Sequence, residues 1–178
     1  VELDGSGDFT DIQPAVDAAA ASDTIRIGPG RFKNFHAIGL PGYTDEVIVH
    51  VTKPNLTFIG AGRGETRIGT ETNYVPYGLA PRVFFSLAPN NFTLQEMTVE
   101  NVYVLVLSNA DVTAERCVFA GGDYRITCVH LQDSVGRIED CEVLLPVGGK
   151  GIVFTGGAHD SVVRNCRFTG AVSSDAVN

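Results

Sequence analysis

The feature that most constrains the fold is a repeat of 20 to 25 residues in the second half of the chain. Met97, Cys117, Cys141 and Cys166 occupy equivalent positions, separated by 20, 24 and 25 residues. The positions three before and two after them are apolar in every unit: Leu94, Ala114, Ile138 and Val163, then Val99, Phe119, Val143 and Phe168. A period in this range is typical of solenoids, in which each unit buries its apolar face against the next unit.

A polar pair separates the apolar positions of each unit. The pairs are Gln95-Glu96, Glu115-Arg116, Glu139-Asp140 and Arg164-Asn165. Because a straight strand alternates its faces residue by residue, two adjacent polar residues between buried positions predict a corner between two short strands. A third apolar segment precedes each corner, at residues 83–87, 104–107, 126–131 and 151–154. Three short strands per unit predict an all-β right-handed parallel β-helix, a solenoid whose coils stack about 4.8 Å apart.

The chain before the repeat predicts a cap for this solenoid. Thr10 and Gln13 form a capping-box pattern, and a helix over residues 10–21 would gather its apolar residues on one side. Such a helix can cover the open edges of the first coil. The chain is therefore predicted to be a single domain, 1–178, with a cap at 1–23 and coils at 24–178. A sandwich or barrel is the alternative, but the corner pairs lack the Asn-Gly and Asp-Gly signals of tight hairpins.

Charge and hydropathy exclude several classes of partner. The chain carries 13 basic and 21 acidic residues, a formal net charge of -8, which argues against an electrostatic grip on nucleic acid or on an anionic membrane. No apolar run approaches the roughly 18 residues of a membrane span, and the first residues do not resemble a signal peptide. The sequence predicts neither nucleic acid nor membrane as a partner.

Three segments carry a resemblance to a known superfamily. They are DGSGDFTDIQPAVDAA at 4–19, IGPGRF at 27–32 and NLTFIG at 55–60, with weaker continuation through TVEN at 98–101 and CVFAG at 117–121. Together they resemble the pectin-lyase-like β-helix proteins, and pectinesterases look most similar. The resemblance implies a secreted protein, extracellular or periplasmic, that acts on acidic polysaccharide along a groove beside one parallel sheet.

The pectinesterase pattern is incomplete in this chain. The resemblance implies a nucleophilic Asp, a second Asp, a glutamine pair and an arginine. Asp123 matches the first Asp, but the glutamine expected before it is absent, and residues 147–154 contain no carboxylate where the second Asp is expected. If the protein is instead a lyase, a Lys or Arg base and a calcium ion are implied. Otherwise no cofactor is predicted.

Several side chains are candidates for the groove. The catalytic candidates are Asp123, His130 and Lys150. The candidates for substrate binding are Tyr124, Arg125, Asp133, Tyr74 and Tyr77, the last two in an insertion that offers aromatic faces for stacking. Strand alternation predicts that Val129 and Leu131 face the core, which puts Cys128 and His130 on the groove face, whereas the opposite phase would bury both. No histidine pair has metal-ligand spacing, so no metal site is predicted.

The four cysteines could be free thiols or could form disulfides. Three of them share one inward position of the repeat, where a small apolar thiol fills a narrow space. A ladder of free thiols is therefore favoured, although neighbouring coils are close enough for a disulfide.

The sequence is compatible with three functions. The leading hypothesis is a catalytically incomplete or truncated β-helix that recognises polysaccharide or oligosaccharide. The second is an active esterase or lyase on uronate polysaccharide, and the third is a structural or adhesive β-helix. The last coil has no recognisable cap, which suggests either a fragment of a longer β-helix or end-to-end self-association.

Overall fold

The computed structural model describes residues 1–38, 46–71, 82–86, 88, 90–107, 109–121, 127–145, 150–157 and 159–170. Within these ranges the chain forms one helix, α1 (Ile12–Ala18), and eighteen strands. The first nine strands are β1 (Thr24–Ile27), β2 (Gly30–Phe32), β3 (His36–Ala37), β4 (Glu46–Val47), β5 (Leu56–Gly60), β6 (Thr66–Gly69), β7 (Arg82–Ser86), β8 (Phe92–Gln95) and β9 (Thr98–Glu100). The others are β10 (Tyr103–Val106), β11 (Asp111–Glu115), β12 (Val118–Ala120), β13 (Thr127–Gln132), β14 (Val135–Glu139), β15 (Glu142–Leu145), β16 (Lys150–Thr155), β17 (Val162–Arg164) and β18 (Arg167–Gly170).

The strands form three six-stranded sheets, and from β7 onward each sheet takes every third strand. Their orders are β1-β5-β8-β11-β14-β17, β2-β6-β9-β12-β15-β18 and β3-β4-β7-β10-β13-β16. Neighbouring strands are parallel except for the short antiparallel pair β3 and β4. The all-β class and the parallel pairing are confirmed, and this topology is compatible with a parallel β-helix.

The polar pairs bend the chain where the sequence predicts a corner. The second residue of each pair has a left-handed backbone: φ is 56° at Glu96, 52° at Arg116, 54° at Asp140 and 52° at Asn165. This conformation costs roughly 1–2 kcal/mol for a residue other than glycine. Hydrogen bonds to the next repeat help to offset it, since the backbone N–H of Arg116 donates to the Glu139 carbonyl over 3.1 Å and that of Asp140 to the Arg164 carbonyl over 3.1 Å.

The core lies between the sheets and consists of rows of similar residues. Ile138, Cys141 and Val143 are 0%, 2% and 0% exposed, and their equivalents in the two preceding repeats are equally buried. The inward positions predicted from the repeat are confirmed there. In β17 and β18 the equivalent residues, Val163 and Phe168, are only partly buried.

The helix is shorter than predicted and begins at a different residue. It spans Ile12–Ala18, and its N-cap is Asp11, whose carboxylate accepts the Ile12 N–H over 2.7 Å. The predicted capping box of Thr10 and Gln13 is wrong, because Gln13 is buried and bonded elsewhere. Its Oε1 accepts the backbone N–H of His50 over 2.7 Å, and its Nε2 donates to Asp17 over 2.8 Å. Gln13 therefore fastens the helix to the segment around residue 50.

One strand contains an irregularity that the repeat does not predict. Val83 pairs with Val104 and Ser86 with Val106, so two residues of β7 lie opposite one residue of β10. This is a β-bulge, and Phe84 within it has a left-handed backbone with φ of 49°. The Phe84 ring is buried and contacts the rings of Phe58 and Phe92, with centroids 5.0 and 6.1 Å away.

Candidate functional site

Two of the three predicted catalytic residues lie on neighbouring strands of one sheet. His130 is in β13 and Lys150 begins β16, and these strands pair in parallel with His130 opposite Val153 and Thr127 opposite Lys150. Asp133 follows β13 directly. The remaining candidates lie outside the described residues: Asp123, Tyr124, Arg125, Tyr74 and Tyr77. Their roles stay predictions.

The predicted phase of β13 is confirmed for His130. Val129 and Leu131 are 1% and 0% exposed, and they pair with core residues of β10 and β16. His130 between them therefore points to the other face of the sheet, where it is half-buried.

Cys128 shares this phase but does not line an open surface, contrary to expectation. It is only 1% exposed, and its sulfur lies 4.0 Å from the Leu144 carbonyl of β15. Burial raises the pKa of the Cys128 thiol to about 12. The thiol is therefore protonated at neutral pH and contributes packing, not reactivity.

His130 is held as a neutral imidazole beside a cation. Its Nε2 lies 2.9 Å from the Thr155 hydroxyl oxygen, within hydrogen-bond distance. Burial lowers the pKa of His130, and the positive charge of Lys150 lowers it further. Both effects disfavour the imidazolium, so the ring is largely neutral at neutral pH and able to accept a proton.

The exposed residues of β13 and β16 are polar, and neither strand contains a carboxylate. Lys150, Gln132 and Thr155 are exposed and Thr127 is half-buried. We name these four residues together with His130 the β13–β16 patch. It offers one positive charge, two hydroxyl groups, an amide and a neutral imidazole, a set that can bind a carboxylate and neighbouring hydroxyl groups through hydrogen bonds.

Asp133 is held at the edge of this patch by a turn. Its backbone is left-handed, with φ of 50°, and its Oδ1 accepts the N–H of Gly157 over 2.7 Å. A Cβ added at Gly156 would lie 2.1 Å from the same oxygen. The carboxylate thus joins the turn after β13 to the turn after β16, and the sugar-binding role predicted for Asp133 stays a prediction.

The sequence reasoning missed Thr155. The repeat does not signal it directly, because β13 and β16 are offset by 23 residues whereas Thr155 lies 25 residues after His130. The register places Val153 opposite His130, and Thr155 lies two residues farther along the same face.

Two cavities lie elsewhere in the fold. One of about 430 Å³ lies between α1, β1 and the N-terminal segment, with Phe9 and Ile25 in its wall. The other, of about 320 Å³, is lined by residues that include Asp17, His36 and His50. Neither is lined by His130, Lys150 or Asp133.

The described ranges contain no group of three or more His, Cys, Asp and Glu side chains placed to hold a metal ion. The same ranges include no helix with the length and apolar character needed to cross a membrane.

Comparisons of the chain with protein-family models, with curated proteins and with solved structures gave no match.

Proposed function

We propose that the chain is a right-handed parallel β-helix of the pectin-lyase-like kind that binds acidic polysaccharide or oligosaccharide along the β13–β16 patch. The single observation that carries the binding proposal is that the His130 ring, kept neutral by burial and by the nearby charge of Lys150, is within hydrogen-bond distance of the Thr155 hydroxyl. Support for the fold comes from the recurrence of every third strand in each sheet. The cellular setting that goes with this proposal is outside the cell or in the periplasm.

The charge of the patch favours an acidic sugar. The molecule carries a net charge of -8, so a polyanion would be repelled at long range and would need local cations to bind. Lys150 supplies one such cation, and the adjacent strands of the patch contain no carboxylate. A uronate carboxylate beside Lys150 would leave its ring hydroxyl groups within reach of amide, imidazole and hydroxyl partners.

The chemistry of the patch favours binding over hydrolysis. Glycoside hydrolysis requires two carboxyl groups facing one bond, and Asp133, which accepts a hydrogen bond from Gln132 of the patch, is also bonded to Gly157. The pectinesterase pattern also lacks its second Asp in the sequence that precedes and forms β16.

A lyase is the second candidate, and one observation favours it. The lowered pKa of His130 leaves an unprotonated base next to a cation. A base of this kind can remove the proton beside a uronate carboxylate while a positive charge stabilises the resulting anion. Calcium belongs to this alternative only, and it stays a prediction.

The test measures binding and turnover on the same samples. Polygalacturonate, alginate and methylated pectin are titrated into the full chain by calorimetry, with and without calcium, while unsaturated product is followed by absorbance and methanol release is assayed. We expect binding to the two uronate polymers. Lys150→Gln should weaken it by about 10-fold or more, the effect expected for a charged hydrogen bond worth about 1.5–3 kcal/mol.

Arg137→Gln is the matched control, because Arg137 is an exposed cation on β14, in a different sheet. It should change affinity little. Equal losses in the two variants would mean nonspecific charge attraction, and absence of binding to every glycan would refute the proposal. Appearance of unsaturated product, abolished by His130→Gln, would instead establish the lyase. Stable oligomers without glycan affinity would favour the structural alternative.

A further inference from the structure

Three cysteines stand in register in successive repeats. The N–H of Glu142 donates to the Cys117 carbonyl and the N–H of Arg167 to the Cys141 carbonyl, each over 2.9 Å. These bonds hold each cysteine next to its equivalent in the following repeat. Parallel strands lie about 4.8 Å apart, and disulfides require Cα atoms about 4.4–6.8 Å apart. Neighbouring cysteines of this thiol stack therefore have the spacing of a disulfide, although all of them are reduced in the structure.

The sulfur atoms of the stack share one orientation. Cys141 Sγ lies 3.5 Å from the Ala114 carbonyl of the preceding repeat. Cys166 Sγ lies 3.4 Å from the Ile138 carbonyl, the equivalent atom one repeat later. The sulfur of Cys166 is thus directed toward the repeat that contains Cys141.

Exposure distinguishes the two neighbouring pairs of the stack. Cys117 and Cys141 are 0% and 2% exposed, so an oxidant in solution does not reach that pair directly. Cys166 is only partly buried. It is the one member of the stack that a small oxidant can reach from solvent.

We propose that Cys141 and Cys166 form a disulfide when the protein meets a peroxide. The Cys166 thiolate attacks one peroxide oxygen and the O–O bond breaks, which forms the sulfenic acid and releases hydroxide; this hydroxide takes up the proton lost from the thiol to give water. The Cys141 thiolate then attacks the Cys166 sulfur and displaces hydroxide, which takes up a proton to give a second water. Two thiols are oxidised by two electrons, and one hydrogen peroxide is reduced to two waters.

The environment of Cys141 suits the second step. Hydrogen bonding from the Cys117 side chain lowers the pKa of Cys141, and the Cys117 N–H lies 3.4 Å from its sulfur. Burial raises the pKa of Cys166, so the first step is the slower one and requires excess peroxide. Cys128 lies on β13, outside the stack, and has no neighbouring cysteine in register.

The bond would join two repeats around the candidate site. The segment between Cys141 and Cys166 contains the whole of β16, including Lys150 and Thr155. Cross-linking its ends limits local opening of β16 and β17. Oxidation would therefore lock the strand that presents half of the β13–β16 patch.

The test uses the full chain, fully reduced and then treated with hydrogen peroxide. Remaining thiols are alkylated, and the intact mass and the peptides are measured. We expect two of the four thiols to escape alkylation, a mass 2 Da below that calculated for the reduced chain with two alkyl groups, a cross-linked peptide pairing Cys141 with Cys166, and at least 10-fold slower proteolysis within residues 150–165. Cys166→Ser and Cys166→Ala should both abolish the bond, whereas Cys128→Ala should leave it unchanged.

Three results would overturn the inference. They are a Cys117–Cys141 bridge, a dimer linked through Cys166, and accumulation of sulfinic acid at Cys166 without any cross-link.

Discussion

Phe84 offers the sharpest test of how this fold balances backbone strain against packing. Its ring is fully buried, yet its backbone is left-handed, which is unusual for a bulky residue. Truncation to alanine removes the ring but keeps the unfavourable conformation, whereas truncation to glycine removes both. We therefore expect Phe84→Gly to be more stable than Phe84→Ala, the reverse of the usual order in a strand.

The magnitude follows from three contributions. Loss of the ring costs about 3–5 kcal/mol in either variant and cancels in the comparison. Relief of the left-handed backbone favours glycine by about 1–2 kcal/mol, and the greater freedom of unfolded glycine opposes it by about 0.5–1 kcal/mol. The net advantage of glycine at Phe84 is therefore about 0.5–1 kcal/mol.

Phe58 provides the matched control, because it is equally buried in the same aromatic cluster but lies in β5 without a positive φ. There glycine should be less stable than alanine by about 0.5–1 kcal/mol. Urea unfolding of the four variants gives both differences, and with a slope of about 2 kcal/mol/M the two sites should diverge by about 0.5–1 M in midpoint. If alanine is the better residue at both sites, the strain assigned to the bulge is wrong.

Two further predictions concern the bend and the site. Asp140→Val should lower the free energy of unfolding by about 1–2 kcal/mol, because a β-branched residue is strained at φ of 54°. The control Asp111→Val, at an exposed strand position, should change the free energy of unfolding by less than about 0.5 kcal/mol. Equal effects of the two substitutions in urea unfolding would contradict this prediction. Because the folded pKa of His130 is lowered, its contribution to stability should be present above about pH 6.5 and lost as the pH falls below that value. His130→Gln should flatten this part of the pH dependence in urea unfolding, and an unchanged slope would refute it.

The repeat made the core and the bends predictable because each depends on local chemistry that recurs. A buried position in one unit stacks on the same position in the next, so similar residues reappear at the period, as Ile138 and Ala114 do. The polar pair at each bend recurs for the same reason. The strands expected upstream, at residues 25–27, 47–49 and 56–59, are found as β1, β4 and β5, with β4 starting and ending earlier than expected.

The features that sequence reasoning missed depend on contacts between distant residues. Thr10 and Asp11 are both suitable N-caps, and the choice of Asp11 coincides with bonds from its second oxygen to Asn34 and His36, each 3.1 Å long. No alternation in β7 signals the bulge at Phe84, because the bulge is defined by the register with β10.

The difference between residues that recur in every repeat and residues that do not also helps to locate a candidate binding site. Core rows keep one kind of residue from repeat to repeat because the stacking itself stabilises them. His130 does not repeat in this way, since the residue opposite it in β16 is Val153. Stacking therefore gives no structural reason for a histidine at this position, and the polar partner of His130 is Thr155, two residues beyond Val153. A polar residue such as His130, which the repeat does not require and which lies near the cation Lys150 of the next strand, is for this reason a stronger indication of a binding site than a residue that recurs in every repeat.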